Sequence, residues 1–315
     1  MYWGVALFQG LCWVSLLALV GTYTWLSVRQ HRVHPGLWLA LGIFVMSWLE
    51  SPYDNVMFAV FHPDFYRLPS WPLINLTQGG LPVIAPTGYI MYFLLPAAVA
   101  VPIARWTVRR YGWREPYALL GVGLLVGIVF DGVIETSQAS FLHLWTFVRT
   151  APGLSVFPGT TAQVPVTVFL AMGLFMMVAT YLLGRRIDDE PVLDRWVATK
   201  VGPGAGRTAA VAAAYIAVTH AVYLATMTPH VITKLAGMQT VAGPQQPYPE
   251  IAPQPAGVQT NGAAGTAILV FWLVGLAFGA FLLARRYDPA ATTPRNNRVK
   301  DASPQKLPTT LSTHS

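Results

Sequence analysis

The chain has 315 residues, of which 54% are hydrophobic and only 10% charged. A water-soluble domain carries about a quarter charged residues, so this composition excludes one and points to a membrane protein with several spans. The net charge of +7 invites a nucleic-acid partner, but the basic residues sit in alternate loops between apolar segments, which argues against it.

Seven windows approach the roughly 20 residues that cross a hydrocarbon core: residues 3–27, 37–61, 88–103, 117–140, 164–183, 209–227 and 265–284. The third is short and is expected to continue toward Arg105. The expected fold is therefore all-α, a polytopic membrane helix bundle of about seven transmembrane helices over residues 1–286. Residues 287–315, rich in Pro, Thr, Asn and Lys, are expected to be a disordered tail. The first window lacks a basic leader and a small-residue cleavage site, and reads as a retained anchor.

Arg29 and Arg32 follow the first window; Arg105, Arg109, Arg110 and Arg114 follow the third. Arg185, Arg186, Arg195, Lys200 and Arg207 follow the fifth, and six more follow the seventh, giving seventeen of the 20 Lys and Arg. Arg67, Arg149 and Lys234 stand alone in the intervening loops. By the positive-inside rule the N-terminus is expected outside and the C-terminus in the cytoplasm. The Arg-, Ala- and Gly-rich composition suggests a bacterial plasma membrane. The lone Cys12 leaves no internal disulfide and no cysteine-rich metal site.

Four carboxylates interrupt these apolar windows: Glu50, Asp54, Asp131 and Glu135. An ionisable group within a span costs roughly 2.5–3.5 kcal/mol or more and marks a partner or a task. At 1.5 Å rise per residue, Glu50 and Asp54 lie roughly 20 and 26 Å from the cytoplasmic end of their span, and Asp131 and Glu135 roughly 21 and 27 Å. His220 and Tyr223 on the sixth window fall roughly 17 and 21 Å deep. Residues four apart share a helix face, so both carboxylate pairs are expected to converge with His220 and Tyr223 on one cavity. Other readings stand beside this one. Pro52 allows a kinked helix end with Asp54 and Asn55 as caps near water, Asp131 and Glu135 suit a fraying end, and His220 suits a buried hydrogen-bonding role.

Two carboxyls sharing a low-dielectric site can hold one in the acid form beside an ionised partner, the arrangement general-acid chemistry uses. It suits loss of water, cation formation and ring closure on an apolar substrate. Tyr53, Phe58, Tyr89, Tyr92 and Trp145 can stabilise a developing cation or simply pack. No HExxH or HxxxH spacing and no Gly-rich phosphate loop occurs, so neither a metal nor a cofactor is expected. The expected partners are an apolar small molecule drawn from the bilayer and membrane lipids. The long outside loops, residues 62–87 and 141–163, mix aromatics with Pro and Gly and are expected to pack at the membrane interface. Residues 228–264 read as a connector or a lid.

From about Ser47 to Pro165 the chain resembles the AveC-like spirocyclases, the family of the spiroketal-forming membrane enzyme of avermectin-type polyketide biosynthesis. The residues that carry the likeness are Trp48, Pro52 and Asn55, Trp71, Tyr89, Asp131 with Glu135, Leu144-Trp145, and Phe157-Pro158-Gly159 leading to Gln163 and Pro165. Ser51 stands where an acidic residue is expected before the proline; Glu50 or Asp54 would substitute for it. The resemblance implies a cofactor-independent cyclase and dehydratase. Catalytic roles would fall to Glu50, Asp54, Asp131, Glu135 and His220, and substrate contacts to Asn55, Trp71, Tyr89, Trp145, Gln163 and Tyr223. An integral membrane terpene-type cyclase is the nearest alternative, and a proton-coupled transporter or lipid-binding membrane protein is the non-enzymatic one.

Overall fold

A computed structural model describes residues 1–57, 59–69, 80–150, 153–238, 240–241, 246–250 and 262–288; within this set the side chains of residues 54–57, 240 and 241 are not described. Among the described residues six helices are long and apolar enough to cross a membrane: α1 (Trp3–Gln30), α4 (Ile84–Tyr111), α5 (Glu115–Glu135, continued by a π-helical turn, Thr136–Phe141), α6 (Val166–Gly184), α8 (Ala205–Leu235) and α9 (Gly262–Tyr287). The remaining expected span is not one helix. It runs as α2 (Pro35–Met46), a 3-10 turn (Ser47–Leu49) and α3 (Glu50–Met57). Pro52 stands in the first turn of α3, where its missing N–H has no partner to lose, so the break falls just before Glu50. A short helix, α7 (Val192–Ala198), lies before α8.

The bundle is built around α4, α5 and α6, with α2 packed on α4 and α8. The α5–α6 contact depends on missing side chains. A Cβ on Gly127 would stand 2.9 Å from the Gly173 Cα, and one on Gly123 would stand 2.7 Å from the Thr180 Cβ. Gly123 and Gly127 are four apart and form the small-residue stripe by which helices approach closely in lipid. Two prolines shape the other walls. Pro96 within α4 cannot donate to the Tyr92 carbonyl, which loosens the turn that carries Tyr92. Pro229 within α8 likewise frees the Ala225 carbonyl, and Trp272 of α9 donates its indole N–H to it at 2.9 Å, docking the last helix.

The basic loops meet at one end. Arg32 reaches the Asp189 carbonyl and Arg105 the Gly184 carbonyl. Arg185 is clamped between Glu115 (2.7 Å) and Asp288 (2.5 Å). Asp288 is buried just beyond α9, two residues past the expected limit of the ordered region; the expected tail from residue 289 on lies outside the described residues.

At the other end Phe65, Leu144, Trp145 and Phe147 of the loops are buried within the protein. Strand β1 (Ala59–Phe61) pairs antiparallel with β2 (Trp145–Phe147), Phe61 opposite Trp145 and Ala59 opposite Phe147. Alternation along a strand puts these four side chains on one face, and they close over the space between α3, α4 and α5. On the other face Val60 packs with Val148 and Tyr248, whose hydroxyl donates to the His143 carbonyl at 2.9 Å. Arg67 pins β1 by donating to the Phe61 and His62 carbonyls at 3.1 and 2.8 Å.

Candidate active site

Under the β1–β2 lid lies a cavity of about 60 Å³, room for a few water molecules. Its wall is mostly aromatic and aliphatic, with Phe8, Phe61, Phe147, Val168 and Met172 among the lining residues. Into this apolar space project Glu50, Tyr53, Tyr89, Tyr92, Glu135 and Trp145.

The polar groups form two clusters. On the α4–α5 side, the Tyr92 hydroxyl is in hydrogen-bond contact with Asp131 Oδ1 and with Glu135 Oε1 at 2.8 Å. Trp145 donates its indole N–H to Glu135 Oε2 at 2.9 Å. Asp131 is fully buried behind Tyr92, and its Oδ2 has no hydrogen-bond partner among the described residues. A phenol has one proton and accepts through its oxygen. The two contacts are compatible either with the phenol sharing its one proton between both carboxyls or with one carboxyl in the acid form donating to the phenol oxygen. Neither Asp131 nor Glu135 takes part in an ion pair among the described residues.

On the α3–α8 side, Tyr223 donates to Glu50 Oε2 at 2.8 Å and stands 3.4 Å from the Tyr89 hydroxyl. Tyr53 packs edge-on against Tyr223 and His230, with centroid separations of 6.2 and 6.1 Å. His230 Nε2 lies 3.2 Å from the Thr167 hydroxyl. Tyr89 and Tyr92, three apart on α4, present their rings 6.3 Å from each other and stand between the two clusters.

Six of the sequence-derived site residues thus gather at the cavity or directly on its network: Glu50, Asp131, Glu135, Tyr89, Trp145 and Tyr223. His220 does not. It is partly exposed away from the cavity, accepts from the Trp48 indole at 3.2 Å and turns its other nitrogen to the Ile216 carbonyl. Gln163 is fully buried but points elsewhere, donating to the Phe147 carbonyl at 2.6 Å and accepting from the Gly159 amide at 3.1 Å. Its place is to hold the Phe157-Pro158-Gly159 turn against β2. Asp54 and Asn55 have their backbone in α3, and their side chains, like all of Trp71, lie outside the described residues. The residue that sequence reasoning undervalued is Tyr92, counted only as an aromatic. Its signal was its place three residues after Tyr89 on a span whose neighbour carries both carboxylates. His230 was passed over because α8 runs to Leu235, past the expected end of that window. Among the described residues no group of three or more His, Cys, Asp or Glu side chains is placed to hold a metal ion.

A membrane helix bundle enclosing a carboxyl–phenol cluster under a two-stranded lid is the class that fold and geometry define. The profile of the family described as Spirocyclase AveC-like matches residues 28–254, more than two thirds of the chain, and the chain belongs to that family. The match reaches well beyond the segment in which the resemblance is visible by eye. Comparison with curated proteins and with solved structures gives no match.

Proposed function

We propose that the chain is a membrane-embedded cyclase and dehydratase that closes a spiroketal, or a related cyclic ether, on an apolar polyketide- or lipid-like chain by acid catalysis. The observation that carries this reading is the shared Tyr92 hydroxyl between Asp131 and Glu135 in an otherwise apolar cavity. One carboxyl of the pair held in the acid form, donating to the phenol oxygen, would make the cluster a proton source. An acid kept from bulk water is what ionising a hemiketal requires, since water would trap the cation.

In the proposed sequence a ketone with two hydroxyl arms first closes to a hemiketal. Glu135, which faces the cavity, protonates the hemiketal hydroxyl and the C–O bond breaks, releasing water. Asp131 resupplies the proton through Tyr92. The oxocarbenium ion is faced by the rings of Tyr89, Tyr92 and Trp145. The second hydroxyl attacks, forming the new C–O bond, and Glu50, held by Tyr223, accepts its proton, which passes back to the Asp131–Glu135 pair before the next turnover. The balance is one keto-diol to one spiroketal and one water, with no oxidant or co-reactant. The aromatic wall also suits a carbocation cascade, so a terpene-type substrate is the second reading.

The test is turnover by purified protein in detergent, with no ion gradient, on keto-diol chains of graded length. Spiroketal formation by wild type and its loss in Glu135→Gln supports the proposal. Absence of any cyclised or dehydrated product from well-folded wild type across keto-diols and linear isoprenoids would count against catalysis.

A further inference from the structure

At the basic end of the bundle the arginines divide into two sets. Arg185 is paired with Glu115 and Asp288, Arg195 with Asp188 at 3.1 Å, and Arg207 with Glu190 at 3.2 Å. Arg32, Arg105 and Arg186 form no ion pair among the described residues, and their hydrogen bonds go to backbone carbonyls. Arg32 and Arg186 donate to the same oxygen, that of Asp189, at 2.9 and 3.4 Å. Arg105 donates to Gly184, two residues before Arg186, at 3.3 Å. Three guanidinium groups, from the loop after α1, from α4 and from the segment after α6, are therefore gathered round one turn. Each has most of its five N–H donors uncommitted by these bonds.

The turn is built to hold them. Arg186–Ile187 pairs with Glu190–Pro191, and the two residues between, Asp188 and Asp189, have φ of 50° and 61°. This is the left-handed pattern of a type I′ hairpin, which fixes the Asp189 carbonyl. His34 reports the same crowding of charge: burial, then the Arg186 and Arg32 charges, lower its pKa to about 4. Of the carboxylates around the cluster, Glu190 is paired with Arg207, Asp189 forms no ion pair among the described residues, and Asp194 offsets part of the Arg186 charge. Asp188 is engaged by Arg195, and Asp194, within electrostatic reach of Arg186 and Arg32, forms no ion pair with either.

We propose that Arg32, Arg105 and Arg186 form a binding site for the phosphate of an anionic phospholipid. A lipid rather than a free anion is indicated by what lies beside the arginines. Trp25 and Trp106 are exposed on α1 and α4, with Arg29 stacked over Trp25 at 4.8 Å, and exposed Val28, Val99 and Ile103 continue the apolar surface. Exposed Trp marks headgroup level, and basic pockets between helix ends take anionic headgroups. The site lies at the opposite end of the bundle from the candidate active site and does not depend on the catalytic reading.

The experiment is native mass spectrometry and thermal unfolding of the purified full chain in detergent. The probes are dioctanoyl-phosphatidylglycerol, dioctanoyl-phosphatidylcholine and inorganic phosphate. Wild type is expected to retain phosphatidylglycerol adducts and unfold at higher temperature with that lipid alone. Each arginine near an anionic headgroup is worth about fivefold in affinity, so Arg32→Ala/Arg105→Ala/Arg186→Ala should lose more than about tenfold. Arg109→Ala/Arg110→Ala, which removes two charges from the same end, should lose far less affinity than the triple variant. Should the triple variant fold poorly, the exposed single Arg32→Gln should still lose about fivefold. Equal binding of phosphatidylcholine, equal stabilisation by inorganic phosphate, or unchanged affinity in the folded variants would overturn the proposal.

Discussion

The Tyr92 hydroxyl of α4 meets Glu135 Oε1 of α5 at 2.8 Å and touches Asp131 as well, so one phenol ties two carboxyls into a single proton-sharing unit. Tyr92→Phe removes the hydroxyl and little volume, leaving two buried carboxyls without their common partner. Turnover should fall about 10²-fold or more, the usual range for loss of an acid–base element, while Trp145→Phe, which keeps the phenol, should cost less. Initial rates on purified protein decide it; a Tyr92→Phe enzyme as fast as wild type removes the phenol from the mechanism.

At about 60 Å³ the cavity is too small for the extended apolar substrate of the proposed reaction, and parting of β1 from β2 is the expected route for such a substrate to the acids. Val60 and Thr146 are paired across the strands on the face turned from the cavity. Directly opposed strand residues are about 4.5–5.5 Å apart at Cα, within disulfide range. Val60→Cys/Thr146→Cys should lose activity when oxidised and regain it on reduction. The native Cys12 is buried and provides a control for the chemistry. Full activity with the disulfide formed would show that substrate arrives by another route.

Close approach of α5 and α6 at Gly127 and Gly173 sets where Asp131, one turn further along, stands. Gly127→Leu inserts a side chain where a Cβ already meets Gly173 and Met176. Overpacking of this kind costs about 1–3 kcal/mol. Thermal unfolding in detergent should show that loss, and turnover should fall beyond what the folded fraction explains.

His34 gives a pH dependence whose sign can be worked out. Burial, with Arg186 and Arg32 beside it, lowers its pKa from 6.5 to about 4 in the folded chain. The unfolded chain takes up the proton first, so this contribution is complete above about pH 6.5 and is lost as pH falls toward 4. Protonation also ends the bond that Nδ1 accepts from the Gly36 amide at the start of α2. His34→Asn keeps a capping acceptor without the titration, and its unfolding midpoint should fall less between pH 7 and 4 than that of wild type.

Much of this was legible in the chain because membrane physics leaves strong marks. Length and apolarity located the six long helices, and alternation of Arg predicted which loops share an end. The cost of burying charge singled out Glu50, Asp131 and Glu135, and helical rise gave them a common depth with Tyr223. What escaped was set by tertiary partners. Tyr92 is a phenol whose value lies in two residues on another helix. The lid forms because Phe61 and Trp145 pair across sequence-distant loops, whereas composition alone assigns such aromatics to the interface. His220 matched in depth, but its ring accepts from the Trp48 indole and faces the Ile216 carbonyl rather than the cavity. Asp288 read as tail because its partner, Arg185, is a hundred residues away.

The most direct measurement is comparative metabolite and lipid profiling of cells carrying wild type, a deletion, and Asp131→Asn/Glu135→Gln, with protein levels matched. The deletion and the double variant should accumulate the same species, uncyclised or one water heavier than the wild-type product. A well-expressed double variant with the wild-type profile, alongside a deletion that differs, would contradict it and make the two carboxyls structural.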